Sequence, residues 1–136
     1  MLNAIKAFIK TCPTLLDVDV NINYLGENAG SSAIENASCE PVIKNYTDGG
    51  ALRQFLFTVA LREKYGQDAA ENTAAAGKLE ALSDWIYEQD RLGILPAFSG
   101  NKNSVSLEVV KTGWVDEKMS DTAKYQLQCR LVYYQD

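Results

Sequence analysis

The chain contains no histidine. That removes the commonest general base, the commonest metal ligand and the one side chain whose ordinary pKa lies near neutrality. Acyl transfer by a histidine-activated serine is therefore excluded for Ser31, Ser32, Ser83 and Ser106, and no G-x-S-x-G elbow is present. Cysteine is scarce and odd in number: Cys12, Cys39 and Cys129 form neither a C-x-x-C pair nor a zinc spacing. Cys129 falls in the apolar phase of its segment and Cys12 follows an apolar helix face. Both read as small buried hydrophobes of a protein kept in a reducing cytoplasm.

Basic residues are missing from Thr11 to Ile43, a stretch that holds Asp17, Asp19, Glu27, Glu35 and Glu40. The stretch reads either as a solvated acidic face or as a surface kept negative toward a basic partner or away from DNA. A formal net charge of −5 argues against gripping nucleic acid by its phosphates. Long apolar runs are absent too. The apolar N-terminal start stops near Cys12 and carries Lys6 and Lys10, so it reads as neither a signal peptide nor a membrane span. Gly49-Gly50 is followed by Ala-Leu, which is no phosphate-cradling loop. Asp17 and Asp19 flank apolar positions in alternation, as solvated carboxylates do, and lack the glycine and further ligands of a calcium loop. No catalytic, cofactor-binding or metal-ligating residue is expected, and the chain is not expected to be an enzyme.

What is present is strand patterning. Val18, Val20, Ile22 and Tyr24 alternate with Asp17, Asp19, Asn21 and Asn23. Tyr125, Leu127, Cys129, Leu131 and Tyr133 alternate with Lys124, Gln126, Gln128, Arg130 and Val132. A period of two gives each strand one buried face and one polar face. The expected elements are a helix at about 2–12 and a strand at about 17–25. Turn chemistry follows from Gly26 to Ser32, then short extended pieces around 33–37 and 41–46. Asp48-Gly49-Gly50 marks a turn into residues 51–65, whose Phe55, Phe57, Val59 and Leu61 share one face in strand phase. Ala69 to Leu92 reads as a helix with the stripe Ala75, Leu79, Leu82 and Ile86, an N-cap at Asp68 with Glu71 three residues on, and a C-cap at Gly93. Pro96 to Asn103 is a loop, and Val105, Leu107 and Val109 alternate as another strand. Gly113 to Asp121 is a polar connection, and the last strand runs over about 122–134.

At 136 residues this composes one domain, 1–136. Its expected class is α+β: a mostly antiparallel sheet packed against two helices in two layers, in the order α-β-β-β-α-β-β. Phe55, Phe57, Leu82, Ile86, Leu127 and Leu131 are the expected core. The candidate oligomer or partner interface consists of Trp114, Asp116, Glu117 and Lys118 on the polar connection, with Arg130 and Tyr134 on the polar phase of the last strand. Trp114 reads either as a lid on its own core or as an anchor for a partner.

The segments MLNAIKAFIKTCP, PVIKNYTDGGALRQFLFTVALREKYG and DTAKYQLQCRLVYYQD resemble the small tail-completion proteins of tailed bacteriophages and prophages of Gram-positive bacteria. These are tail-terminator-like minor capsid proteins encoded between head and tail genes. The resemblance spans most of the chain, except Gly26 to Ser38, and carries no catalytic signature. It implies a ring, typically of six subunits, that caps the tail-tube protein and docks a head-completion protein while DNA passes through without specific binding. It further implies a virion protein assembled in the bacterial host cytoplasm, with no membrane partner. An acidic lumen that repels phosphate suits that role. A head–tail connector or joining protein has the same size and charge, and a non-viral cytoplasmic binding module is the reading of another class.

Overall fold

The computed structural model describes residues 2–13, 15, 20–25, 31–37, 40–64, 69–98, 100–119 and 122–136, with the backbone alone at 64, 69–75, 113–119 and 122–123. The fold is mixed α+β: a six-stranded, mostly antiparallel sheet with two helices. The elements are α1 (Leu2–Ile9), β1 (Val20–Ile22), β2 (Ser32–Ala37), β3 (Val42–Asn45), β4 (Ala51–Lys64), α2 (Ala69–Leu92), β5 (Lys102–Met119) and β6 (Thr122–Gln135). Four strands precede α2, where the expected order had three, because both short extended pieces are strands.

The first helix is shorter than its apolar spacing suggests. The Thr11 amide and hydroxyl both donate to the Phe8 carbonyl, at 3.1 and 2.6 Å, and the Cys12 amide donates to Ile9. These tight i to i−3 bonds replace the α-helical ladder, so the chain reaches Pro13 in turns. Ile5, Phe8 and Ile9 are buried all the same, and so is Cys12. The strand expected over 17–25 is described only from Val20, Asp17 to Asp19 lying outside the described residues. It ends at Asn23, whose φ of 57° is a left-handed conformation that asparagine tolerates. The Asn23 side chain then accepts the Asn36 amide at 2.9 Å.

The sheet order is β1-β2-β4-β6-β5, with β3 also on β4. The first strands do not all pair antiparallel in chain order. β1 and β2 run parallel, and β2 pairs with β4 over Leu56 to Leu61. β3 pairs with the remaining stretch of the same edge, Ala51 to Arg53. β4 is long enough to hold two short partners end to end, which is why it became the centre of the sheet. On its other edge β4 pairs with β6 in fourteen consecutive antiparallel pairs, from Ala51↔Gln135 to Lys64↔Thr122, without irregularity.

That unbroken register carries the core. Phe57, Val59 and Leu61 lie opposite Cys129, Leu127 and Tyr125, and all six are buried. Leu79, Leu82 and Ile86 of α2 close over them at helical spacing. Phe8 of α1 and Trp85 of α2 meet with ring centroids 5.1 Å apart. Glu63 and Lys78 add a salt bridge of 3.0 Å between β4 and α2. Of the expected core, five residues are fully buried; Phe55 is only partly so, packed on Phe57 at the open end of the sheet.

α2 stops as expected at Gly93. The Gly93 amide donates to Asp90 and the Ile94 amide to Gln89, at 3.1 and 2.9 Å, a Schellman closure that needs the φ of 75° found at Gly93. The expected N-cap at Asp68 lies outside the described residues.

β5 differs most from expectation. The polar connection Gly113 to Asp121 is strand through Met119, with Trp114 opposite Tyr125. β6 extends to Thr122, and its free edge gives the backbone of 113–119 a partner for hydrogen bonds that a loop would leave to water. The strand has three register irregularities, each with extra residues on β5: Val105, Val110, and the pair Asp116 and Glu117. A bulge of this kind kinks its strand and leaves the extra residue unpaired.

Cys12 and Cys129 are free thiols and buried, as their phases imply; Cys39 lies outside the described residues. Burial pushes the Cys129 thiol up to about 12. Its thiolate, the reactive form, is therefore suppressed in the native protein. Titration with a thiol reagent at pH 8 is expected to leave Cys129 unmodified until denaturant is added, as read by peptide mass mapping. The sign for stability follows. The unfolded thiol loses its proton near its ordinary pKa and the folded one does not. Stability from this residue thus falls as pH rises between that value and about 12.

Candidate interaction surface

The six candidate interface residues do not come together. Trp114, Asp116, Glu117 and Lys118 lie on the far half of β5, and their side chains are outside the described residues. Tyr134 lies at the opposite end of the β5–β6 hairpin. Nine residues of β6 separate it from Tyr125, the register partner of Trp114, which at strand rise is roughly 30 Å. Arg130 sits between them and forms an ion pair with Glu108 across the β5–β6 pair.

The face of the sheet turned away from the helices is polar but closely built. Gln54 and Thr58 of β4 and Gln126, Gln128 and Arg130 of β6 are half-buried there, while Ala60 and Val132 are buried beneath their neighbours. Lys124 Nζ lies 3.1 Å from Glu35 Oε1, tying β6 to β2 across β4. Two carboxylates of the acidic stretch are described. Glu35 has a cationic partner, Glu40 is exposed, and Asp17, Asp19 and Glu27 lie outside the described residues.

At the near end, Tyr134 closes over the turn that joins β3 to β4. The Tyr46 amide donates to the Gly50 carbonyl at 2.9 Å, and Asp48 Oδ1 accepts the Gly50 amide at 3.0 Å. The Tyr134 hydroxyl stands where a side chain at residue 50 would begin, so a larger residue there would push the Tyr134 ring aside. The phenol donates to Asp136 Oδ1 at 3.1 Å, with Asp48 Oδ2 at 3.5 Å. Partial removal from water, the bond to Asp136 and the negative charges of Asp48 and Asp136 together push the Tyr134 pKa up. The Tyr46 ring lies 5.8 Å from Tyr134, with Lys44 Nζ 5.3 Å from the Tyr46 centroid. This arrangement presents aromatic and charged groups at a sheet corner.

An open cleft of about 460 Å³ lies between α1 and the sheet, lined by Leu2, Asn3, Ile22, Asn36 and Phe55. None of these described lining residues is ionisable. Among the described residues, no group of three or more His, Cys, Asp or Glu converges on a point, and no helix is long and apolar enough to cross a membrane.

Sequence reasoning missed the apolar residues on the flanks of the sheet. Ile43 and Val110 each follow another valine or isoleucine-type neighbour, Val42 and Val109, so that two β-branched residues stand side by side where alternation calls for one. That break is a legible sign of a bulge. Val105, between Ser104 and Ser106, gives no such sign. No protein-family model matches the chain, and a search of curated proteins finds no match.

Proposed function

We propose that the protein is a structural subunit of a phage particle, a tail-terminator-like minor capsid protein that forms a ring on the tail tube and joins it to the head. The observation that supports this reading is the breadth of the sheet. β4, β5 and β6 are 14, 18 and 14 residues long, and they offer one wide polar face away from the helices. A broad, rigid surface tied by cross-strand ion pairs suits contact with other protein surfaces. The two-layer arrangement, with both helices on one side and this face on the other, belongs to the same reading. The net charge of −5 suits a subunit that lines a passage for DNA without gripping it. In this role the chain carries out no chemistry and works in the virion.

The test uses the protein with purified tail-tube protein. Light scattering across a concentration series is expected to show self-association, and tubes assembled in its presence are expected to be short and capped at one end by electron microscopy. A chain that stays monomeric at every concentration and leaves tube length unchanged overturns the reading. A head–tail joining protein is separated by the same experiment: it binds isolated head connectors and leaves tube growth alone.

A further inference from the structure

The exposed large apolar side chains are not scattered. Among the described residues they fall on two flanks of the sheet. On the β1–β3 flank stand Tyr24, Ile43 and Tyr46. On the β5 flank stand Val105 and Val110, joined by Leu92 and Ile94 from the end of α2. That end of the helix is fastened alongside β5. Asp90 Oδ1 accepts the Leu107 amide at 2.9 Å, and Ser104 Oγ donates to the Pro96 carbonyl at 2.5 Å. Tyr87, three residues before Asp90, lies on the same side of the helix.

Three of these residues share a structural cause. Ile43, Val105 and Val110 are each the extra residue of a bulge, and they are 46%, 53% and 47% exposed. Bulges at sheet edges blunt backbone pairing with another chain. The Leu107 amide, taken by Asp90, is closed to a new strand as well. Main-chain pairing is thus interrupted at Ile43 on β3 and along β5, and the exposed side chains there offer apolar contacts.

The two flanks complement one another in sign. Along the first, Glu40, Ile43, Lys44, Tyr46 and Asp48 read negative, apolar, positive, apolar, negative. Along the second, Lys102, Val105, Glu108, Val110 and Lys111 read positive, apolar, negative, apolar, positive, with the central Glu108 shared with Arg130 of β6, so that the unshared charges of this flank are Lys102 and Lys111 at its two ends. Each order is symmetric, so the match holds for either direction of approach. Neither flank complements itself. Ile43 and Val105 also fall in one row of the sheet, beside Arg53 and Tyr133, at opposite ends of the row β3-β4-β6-β5.

We infer that these flanks are the two halves of a heterologous contact between copies of this chain: the Ile43–Tyr46 flank of one copy seats on the Val105–Val110 flank of the next. A contact between two different patches repeats from copy to copy, and closes into a ring when the rotation permits. The inference rests on the ring reading for its purpose, while its evidence is the distribution of apolar and charged groups.

The decisive experiment mixes two variants. Ile43→Glu spoils one flank and Val105→Glu the other. Both positions are exposed, so the thermal melts of both variants are expected to stay near that of the parent. Each variant alone is expected to self-associate at least about tenfold more weakly than the parent, a shift of the size that one apolar anchor commands. Mixed, they are expected to form a one-to-one heterodimer and stop there, because one intact junction remains. Failure of the mixture to pair overturns the contact. A photo-reactive benzoylphenylalanine at position 43, irradiated at high protein concentration, covers weak association and is expected to cross-link to residues 102–111 of another copy. Oligomers cross-linked elsewhere overturn this contact and leave the ring reading standing. No intermolecular cross-link at any concentration overturns both.

Discussion

Deletion of Gln128 from β6 is expected to abolish cooperative folding, while deletion of Val110 from β5 is expected to leave a folded protein. β6 is paired on both sides. Its pairing with β4 runs through fourteen residues without a break. Removing one residue from its middle forces one half of the strand to slip by one position. A slip of one turns every side chain in that half to the other face. If the first half slips, Tyr125 and Leu127 leave the core and Lys124 and Gln126 enter it. Exposing two large apolar side chains costs about 3–6 kcal/mol, and burying unpaired polar groups in their place adds a few kcal/mol for each. Together these approach the 5–15 kcal/mol or so that holds an ordinary domain folded.

Val110 is a different case. It is the extra residue between Val109↔Cys129 and Lys111↔Gln128, so its removal leaves every pair on both sides in place and merely straightens the strand. The expected cost is about 1 kcal/mol, near that of ordinary surface changes. Urea denaturation followed by circular dichroism reads both outcomes. A cooperative transition near the parent midpoint for the Gln128 deletion contradicts the register, and so does an unfolded Val110 deletion.

The same contrast explains how much of the fold was legible beforehand. Alternation over 125–133 places those side chains on their observed faces, because the β4–β6 ladder keeps a strict period of two. On β5 the period is interrupted. Val105 and Leu107 look alike in the sequence, yet Leu107 is buried and Val105 is 53% exposed, since the bulge puts Ser104 and Val105 together opposite Tyr133. Polarity misled over 113–119 in the opposite direction. Asp116, Glu117 and Lys118 have the composition of a loop, but an edge strand tolerates charge, and β6 was there to pair with the backbone. The parallel pairing of β1 with β2 had no local sign either, because strand order depends on which distant segments meet.

The placement of the candidate surface residues in the fold was legible only in part. The absence of histidine and of ligand clusters turns attention to surfaces. Which residues lie at an edge depends on where the sheet ends, and Ile43 and Val105 become edge residues only through the order β3-β4-β6-β5. Arg130, chosen from its polar phase, forms an ion pair with Glu108 on the sheet surface. An exposed pair of this kind contributes little to stability.

Leu127→Ala is expected to be the most damaging single substitution among the conservative truncations of β6. Leu127 is fully buried on the helix side of the sheet, opposite Val59 on β4 and Thr112 on β5. Its neighbours are held by the longest regular ladder in the protein, so the backbone has little freedom to collapse into the space vacated. The cost then includes the lost transfer of the side chain and a cavity that persists, about 2–5 kcal/mol. With a urea slope of about 1.5 kcal/mol per molar, that lowers the midpoint by about 1–3 M. Gln128→Ala, one residue along and on the opposite face, is expected to shift stability by no more than about 0.5 kcal/mol. Leu127→Met keeps most of the volume and is expected to lose less than about 1.5 kcal/mol. A Leu127→Ala protein with the parent midpoint, or a Gln128→Ala protein as damaged as Leu127→Ala, contradicts the assignment of faces. The ordering of the three variants is the sharper check, because each differs from its neighbour in a single physical respect: the face on which the side chain lies, or the volume that remains in the core.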